Sequence, residues 1–375
     1  MTIASLNGLA GLPAEQWNAL RADDQPFLAH GWLAALEQSG AVSAATGWQP
    51  HHLAWREGEA LRAVAPAYLK THSYGEYVFD WAWAEAYQRA GLAYYPKLLL
   101  AIPFTPVGGA RFLGLPAARA MLIAELPRQV RQLGLSSAHV LYPAPDEMAM
   151  LAEAGWLERH GVQFHWQNHG YRDFSDFLDA LSRDKRKKIR QERRRVAEQG
   201  VEVIVKEGRQ ITDDDWAFFH ACYCQTYREH RSTPYLDLVF FRLIGERLAD
   251  HLVLFVAQRA GEPVAASLCL KDRHQLYGRY WGALEDISCL HFELCYYQGI
   301  AYCIRHGLSV FEGGAQGEHK LARGFEPVLT HSAHWLGDSP FRSAIWRWLK
   351  QERQAVAAYL GELEQHIAYK KACQS

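Results

Sequence analysis

The sequence predicts a mixed α/β protein, with α+β mixed sheets, whose two halves repeat one order of elements. A chain of 375 residues exceeds the size at which a single core usually stops growing, and its hydrophobic content of 49% is enough for two cores. In each half, helical patterns come first, an antiparallel hairpin and a third strand follow, and a helix and further strands complete the order. We therefore expect two domains, 1–170 and 171–375, although no repeat is visible in the sequence itself.

Apolar periodicity and turn residues define the elements of the first half. Glu57, Gly58 and Glu59 are typical of a hairpin turn, and Pro103 ends an apolar run. The alternation of apolar and charged residues from 117 onward indicates an amphipathic helix. The predicted elements are, in order, helices over 13–22 and 30–39, extended strands within 51–70, a strand over 97–102, a helix over 117–133, a strand over 138–142, a helix over 146–154 and a strand over 161–168.

The same signals define the second half. Gly200 ends a long helix, and the acidic residues 213–215 favour the positive end of the next one. Residues 260–263 are typical of a hairpin turn. The predicted elements are, in order, a helix over 174–199, a strand over 201–205, a helix from 212, strands over 251–258, 264–271 and 275–282, a helix over 290–305, strands over 309–314 and 328–336, and a final amphipathic helix over 341–366.

Composition excludes several classes of protein. The formal net charge of -1 argues against a generally basic nucleic-acid binder. The N-terminal sequence lacks a basic flank, and no run approaches the roughly 18 apolar residues that cross a bilayer, so we expect a cytoplasmic protein without a transmembrane segment. The seven cysteines are an odd number without a Cys-x-x-Cys pair, which indicates reduced thiols. The spacing of His331 and His334 from Glu318 and His319 matches no metal site, so we predict no metal.

The segment 311–325, FEGGAQGEHKLARGF, is the strongest candidate for a reactive centre. Its glycines allow backbone amides to approach a ligand closely. Glu312, His319 and Lys320 provide an acid, a base and a fixed positive charge directly after a predicted strand. An ordinary polar surface loop is the alternative interpretation of the same residues.

Four blocks of unusual composition carry a family resemblance: SYGEYVFDWAWAEAY at 73–87, YYPKLLLAIPFTPVGGAR at 94–111, LYGRYWGALE at 276–285, and HFELCYYQGI at 291–300 with the reactive segment. They resemble the FemAB-like predicted N-acyltransferases, which are related to the peptidoglycan aminoacyltransferases of the Fem family. The resemblance implies two tandem domains of the GCN5-related N-acyltransferase fold. It also implies transfer of an acyl or aminoacyl group from a CoA- or tRNA-linked donor to an amine, in the cleft between the halves. The alternative is a non-catalytic protein that binds a peptide or a peptidoglycan precursor.

The resemblance also implies roles for single residues. Lys320 corresponds to the Fem lysine of the acceptor and carbonyl region, where it would stabilise an oxyanion or hold a phosphate. His319 is a candidate proton acceptor, and Glu312 and Asp80 are alternatives. Burial between two aromatic residues would raise the pKa of Asp80 and make it a better base. A carboxylate that caps a backbone turn is the other interpretation of Asp80.

Residues for binding the donor and the acceptor are predicted in both halves. Arg111 and Gly114 match the loop that receives a pyrophosphate at a helix N-terminus, although Pro116 replaces one of its backbone N–H donors. Tyr277 and Tyr280 match the aromatic strand that lines the Fem cleft, with core packing as the alternative for at least one of them. We also assign substrate or cofactor binding to Tyr95, Lys97, Arg279 and Arg323. The resemblance implies acyl-CoA or aminoacyl-tRNA as a co-substrate and no tightly bound cofactor.

A basic cluster lies in the helix predicted over 176–199. Between Arg183 and Arg195 there are nine Lys or Arg residues against two acidic ones. Nine cations in thirteen positions cannot share one helix face, so a solvated surface is the default interpretation. Binding of tRNA phosphates is the functional alternative. A membrane-surface helix is disfavoured because a matching apolar face is absent.

Overall fold

The computed structural model describes residues 2–314, 317–337 and 339–370. The α-helices are α1 (Ala14–Asn18), α2 (His30–Gln38), α3 (Trp81–Arg89), α4 (Pro116–Gln132), α5 (Pro145–Glu153), α6 (Phe174–Ala180), α7 (Arg183–Glu198), α8 (Asp213–Glu229), α9 (Leu238–Arg247), α10 (Leu290–Phe292), α11 (Gln298–His306) and α12 (Arg342–Glu364). A π-helical turn (Glu293–Tyr297) joins α10 to α11, and short 3-10 helices lie at Pro26–Leu28, Gly208–Gln210, Ala249–His251 and Glu318–Arg323.

The strands confirm most of the predicted pattern. They are β1 (Thr2–Leu6), β2 (Trp48–Pro50), β3 (His52–Glu57), β4 (Ala60–Ala65), β5 (Ala67–Lys70), β6 (Lys97–Leu100), β7 (Leu113–Gly114), β8 (Ala138–Leu141), β9 (Leu157–Gln167), β10 (Val201–Glu207), β11 (Leu252–Arg259), β12 (Glu262–Lys271), β13 (Gln275–Ala283), β14 (Val310–Glu312) and β15 (Phe325–Trp335). Of the helices in the described ranges, none combines the length and apolar character needed to span a bilayer.

The chain forms two compact units. The first comprises residues up to Val162 together with Leu329–Tyr359, and the second comprises Gln163–Val328 with residues from Leu360 onward. The units are therefore not the contiguous segments 1–170 and 171–375 of the sequence prediction. The strands β9 and β15 and the helix α12 each contain a point at which the chain passes from one unit to the other.

The first unit contains two sheets. One has the order β1-β3-β4-β7, and the predicted hairpin joins β3 to β4. In the other, β5 pairs with β2 and β6 in antiparallel fashion, β6 pairs with β8 in parallel, and β8 pairs with the part of β15 that belongs to this unit. The core lies between the sheets and α4, whose Leu122 and Leu126 are fully buried against β6 and β8. Because this apolar stripe is buried, the apolar periodicity of the sequence predicted α4 correctly.

The second unit is built on the strands β10 to β14 and the adjoining part of β9. Antiparallel pairs connect β10, β11, β12 and β13, and β14 then pairs in parallel with β13. The helix α8 packs on β13 at very short range: a Cβ added at Gly282 would lie 1.9 Å from the carbonyl oxygen of Cys222. Only glycine permits this approach of strand and helix backbones.

The helix predicted over 174–199 is interrupted. Leu181 separates α6 from α7 with an extended backbone and forms a β-bridge with Tyr369. The amide of Ser182 donates to the carbonyl of Ala368, and the amide of Lys370 donates to the carbonyl of Ala180. Pairing with a segment distant in the sequence thus replaces the helical hydrogen bonds at this position.

Candidate functional site

The predicted reactive segment places its lysine inside the protein. The strand β14 ends at Glu312, and Lys320 lies in the 3-10 helix Glu318–Arg323. The side chain is 1% exposed, and its Nζ donates to the carbonyl oxygen of Gly314 at 2.6 Å. Among the residues that the structure describes, no carboxylate lies within ion-pair distance of this ammonium group. Lys320 is therefore a buried cation without a partner anion in that part of the chain.

The surroundings of Lys320 change its charge state. Burial lowers the pKa of Lys320 to about 8, Cys295 opposes this effect, and Arg279 lowers it further. Burial also raises the pKa of the Cys295 thiol to about 12, so that at neutral pH it supplies no negative charge. At pH 7 Lys320 is still mostly protonated, at a cost in desolvation. An anion or a developing oxyanion beside Nζ would offset that cost.

The two neighbours of Lys320 in the prediction have different positions. His319 is exposed, and its Nε2 lies 2.8 Å from the hydroxyl of Tyr296. Burial of part of the ring, together with Arg323 and Lys320, lowers the pKa of His319, so the imidazole is neutral at pH 7. Arg323 is 3% exposed and donates to Glu192 of α7 at 2.8 Å. The guanidinium of Arg323 therefore joins the 311–325 segment to α7. Because this guanidinium already has a carboxylate partner, the structure argues against the predicted contact of Arg323 with substrate.

A bulge in β13 determines where the predicted aromatic residues point. Leu268 is opposite Tyr280 and Leu270 is opposite Tyr277, with Arg279 as the extra residue. Because Leu268 and Leu270 share a face of β12, both tyrosines lie on the same face of the sheet.

That face is covered by helices. The ring of Tyr280 lies 5.4 Å from that of Tyr223 in α8 and 6.1 Å from that of Phe241 in α9. Tyr277 is 1% exposed and donates to Asp272 at 2.6 Å. Core packing, the alternative interpretation, thus applies to both tyrosines. Arg279 lies on the side of Lys320, whose pKa it lowers.

One neighbour of Lys320 was missed by sequence reasoning. His165 in β9 is paired in register with Glu312, which is 8% exposed and also paired with Tyr277. Burial, assisted by the charge of Lys320, lowers the pKa of His165 to about 4. The imidazole is therefore neutral at physiological pH. No local signal marks it, because it lies far from 311–325 in the sequence and only sheet pairing brings it there.

A second buried polar cluster lies in the first unit and contains three predicted residues. Lys97 is fully buried, and its Nζ donates to Asp80 at 2.5 Å, to Glu76 at 2.9 Å and to Ser73 at 2.9 Å. The hydroxyl of Tyr95 lies 2.8 Å from the oxygen of Ser73. The structure thus brings together Asp80, Lys97 and Tyr95 from two of the blocks that carry the family resemblance.

The charges of this cluster contradict one prediction. Burial alone would raise the pKa of Asp80, but the ammonium of Lys97, with His139 and two hydrogen bonds, lowers it below its usual range. Asp80 is therefore an ion-paired carboxylate and a poor base, and it makes no side-chain cap at the start of α3. Burial raises the pKa of Glu76 to about 7 and lowers the pKa of Lys70 to about 7. These two groups, and not Asp80, change protonation near neutrality.

The predicted phosphate loop at Arg111 is also corrected. Arg111 is fully buried, and its guanidinium donates to the carbonyls of Val107, Gly109, Ala110 and Leu141. The backbone amides of Arg111 and Phe112 donate to the carboxylate of Glu147. The amide of Gly114 donates to the carbonyl of Leu20, and a Cβ at Gly114 would lie 2.4 Å from the carbonyl of Arg62. The donors that a pyrophosphate needs are engaged, and a buried carboxylate occupies the loop.

The basic helix α7 presents most of its cations to solvent. Ile189, Glu192 and Val196 form its buried face. Four of its arginines form ion pairs: Arg186 and Arg190 with Asp179, Arg193 with Glu293, and Arg194 with Glu198. In the described part of the chain, five further cations have no such partner: Arg183, Lys185, Lys187, Lys188 and Arg195. A groove of about 440 Å³ is lined by Arg183, Arg186, Lys187, Arg190, Gln191 and Arg194.

Comparison with known proteins gives a family and a fold. The FemAB-like family model, described as peptidoglycan biosynthesis/recognition, matches residues 8–371. FemX has 11% identity and a TM-score of 0.55, over 92% of this chain and 100% of that one. The C-terminal domain of an Agrobacterium fabrum protein named as a lysylphosphatidylglycerol synthetase has 12% identity and a TM-score of 0.56, over 92% of this chain and 96% of that one.

A third similar structure is L-PGS from Bacillus licheniformis, with 10% identity and a TM-score of 0.52, over 88% of this chain and 97% of that one. No curated protein sequence matches the chain. At these identities the structural likeness is one of fold. The predicted class, mixed α/β with two tandem acyltransferase-like domains of the Fem type, is confirmed.

Proposed function

Because this chain belongs to the FemAB-like family of peptidoglycan biosynthesis and recognition, we propose that it transfers an acyl or aminoacyl group to an amine. The observation that carries the proposal is the state of Lys320. Its ammonium is buried, its one described hydrogen bond goes to the Gly314 carbonyl, and its pKa is lowered to about 8 by burial. Lys97, equally buried, has two carboxylate partners and remains charged. Of these two buried lysines, Lys320 is thus the one whose charge is available to a ligand.

The proposed chemistry uses that charge at the carbonyl carbon. As the amine attacks the acyl donor, the carbonyl oxygen becomes negative, and the ammonium of Lys320 stabilises it within a desolvated site. The nitrogen must also lose a proton for the tetrahedral intermediate to collapse to an amide. We assign this proton to His319, which is exposed, neutral at pH 7 and fixed through its Nε2 by Tyr296. The carbon–sulfur or carbon–oxygen bond of the donor then breaks, and the departing thiolate or ribose alkoxide takes up the proton held by His319, which completes the transfer.

The donor we propose is linked to CoA or to tRNA, both of which carry phosphates. The exposed cations of α7 support this choice, and Glu192 ties α7 to the reactive segment through Arg323. A phosphate-rich donor bound there would have an affinity that falls as salt concentration rises. The acceptor is an amine on a small molecule or peptide, in agreement with the description of the family.

The test combines purified protein with acyl-CoA or aminoacyl-tRNA donors and with peptidoglycan-precursor peptides that bear a free amine. Product is measured by mass spectrometry. We expect product from one donor class and a loss of at least about hundredfold in Lys320→Ala, because removal of an oxyanion partner has that effect. Lys206→Ala, which removes a partly exposed lysine of the second unit, is the matched control. A chain that retains the peptides but turns over neither donor would be a binding protein, and the proposal would be wrong.

The donor class is distinguished by charge reversal on α7. We expect the triple change Lys185→Glu, Lys187→Glu and Arg194→Glu to abolish retention of tRNA in low salt if the donor is aminoacyl-tRNA. The control makes an equal change of charge elsewhere, at the exposed residues Arg89, Arg347 and Lys350. Retention of tRNA that is equal in both triple variants would exclude α7 as the tRNA surface.

A further inference from the structure

Two histidines and a glutamate converge on one point of the first unit, and neither cluster described above includes them. Glu158 and His160 lie two residues apart on β9, and His331 lies on the neighbouring strand β15. The Nδ1 of His331 is 2.8 Å from Oε1 of Glu158, and the Nε2 of His160 is 3.1 Å from the same oxygen. One ligand atom from each of the three residues lies within 4.8 Å of the others.

The two nitrogen-to-oxygen separations are close to those of ligands around one metal ion. Metal–ligand bonds of about 2.1 Å place two ligands roughly 3.0 Å apart at a right angle and roughly 3.4 Å apart in a tetrahedron. The two observed nitrogen-to-oxygen distances are close to these values. The residues stand on two paired strands, and spacing of two along β9 puts Glu158 and His160 on the same face. An ion could therefore enter with little movement of the backbone.

The contacts within the cluster also suit a cation. Oε1 of Glu158 forms a hydrogen bond with Nδ1 of His331 and lies 3.1 Å from Nε2 of His160. Arg353 donates to the backbone carbonyl of Glu158 and not to its carboxylate. The buried Nε2 of His160 lies near Oε1 but makes no hydrogen bond of acceptable geometry. In the tautomer that carries its proton on Nδ1, His160 would offer the Nε2 lone pair to a metal.

We propose that Glu158, His160 and His331 form a binding site for a divalent transition metal, with Zn²⁺ as the preferred ion. Two imidazoles and one carboxylate are a common donor set for such ions, and imidazole selects them over Mg²⁺ and Ca²⁺. The three side chains are 19% to 33% exposed, so at least one coordination position faces solvent. The site joins strands β9 and β15 by a metal bridge. The sequence predicted no metal because the spacing of His331 and His334 from Glu318 and His319 matches no metal site; Glu158 and His160 lie on a strand that is distant in the sequence.

The experiment is independent of catalysis. Protein dialysed against a chelator is titrated with Zn²⁺ by calorimetry and with Co²⁺ by visible absorption, and its melting temperature is followed. We expect one ion per chain, a cobalt spectrum that indicates nitrogen and oxygen ligands, and a higher melting temperature with Zn²⁺. His160→Ala and His331→Ala should each weaken binding by at least about tenfold.

Two further variants keep the result interpretable. Glu158→Gln preserves the shape of the side chain but removes its charge, and we expect it to weaken Zn²⁺ binding. This variant provides the test if either alanine variant fails to fold. His169→Ala is the control, because His169 and Glu326 form an exposed pair without a second histidine. Absence of Zn²⁺ binding by the parent protein would overturn the proposal. Binding by the parent that survives unchanged in the Glu158, His160 and His331 variants would overturn it equally and would indicate adventitious binding at other histidines.

Discussion

Replacement of Lys320 by Met should make the protein more stable at neutral pH and inactive. The fall in the pKa of Lys320 from 10.5 to about 8 means that charging this lysine costs the folded protein about 3 kcal/mol. Met has a similar shape and no charge, so the variant avoids that cost. It leaves the carbonyl of Gly314 without its hydrogen bond, which costs about 1 kcal/mol at every pH. At pH 7 the expected net gain in the free energy of unfolding is about 2 kcal/mol.

The sign of the pH dependence follows from proton binding. Between the folded pKa of about 8 and the ordinary value of 10.5, the unfolded chain holds a proton on Lys320 that the folded protein lacks. The parent therefore gains stability as pH rises through this window, and the Met variant does not. The advantage of Lys320→Met should decrease by about 3 kcal/mol between pH 7 and 10.5 and end as a small disadvantage.

The assay is urea unfolding of both proteins at pH 7 and near pH 10, with equal slopes required for comparison. Lys97→Met is the control, since Lys97 is as deeply buried but paired with Glu76 and Asp80. It should lose about 3 to 5 kcal/mol at both pH values, because two buried carboxylates lose their partner. A difference between parent and Lys320→Met that is the same at both pH values would refute the view of Lys320 as an uncompensated buried charge.

Three other substitutions test the remaining roles. Gly114→Ala should lower the free energy of unfolding by at least about 2 kcal/mol, since the φ of +120° at Gly114 and the nearby Arg62 carbonyl exclude a side chain. Urea unfolding measures this change. An unchanged stability with weaker binding of the donor would instead support the phosphate loop. Glu192→Gln should lower the free energy of unfolding by about 3 kcal/mol, because the buried guanidinium of Arg323 loses its carboxylate partner. An unchanged midpoint of urea unfolding would contradict this expectation. Asp80→Asn should make the free energy of unfolding depend less on pH in acid. The lowered pKa of Asp80 stabilises the folded parent above pH 3.8, and this stability is lost as pH falls below that value. Acid titration followed by circular dichroism measures the pH dependence in both proteins.

The sequence predicted elements best where apolar spacing is long and regular. The helix α4 and the hairpins β3–β4 and β11–β12 were predicted within a few residues. The break at Leu181 was not, because it depends on pairing with Tyr369. The strand β1 was missed because its five residues, TIASL, do not alternate between apolar and polar. The helix α3 was missed because its aromatic residues obscure the helical periodicity.

The site was predictable to the extent that its residues are neighbours in the sequence. Lys320 and His319 could be proposed from one segment, since a lysine among glycines after a strand is visible locally. His165 could not, because a sheet pairing places it near Lys320. Arg111 was misassigned because the local motif is present but its backbone N–H groups are already engaged. The amides of Arg111 and Phe112 donate to the carboxylate of Glu147, which lies on a helix distant in the sequence. Local sequence shows which groups are available, and tertiary contacts decide whether they are already engaged.

The division of the chain between its two units affects how the protein is made on the ribosome. The first unit requires Leu329–Tyr359, and its strand β8 pairs with residues 332–335 of β15. Synthesis proceeds from the N-terminus, and domains usually fold as they emerge. Here the part of the first unit that ends at Val162 cannot complete its fold, and that edge of β8 stays unpaired, until Tyr359 has left the exit tunnel. The nascent protein is therefore exposed to aggregation while the second unit is being made, and chaperones that bind exposed strands should associate with it during that time.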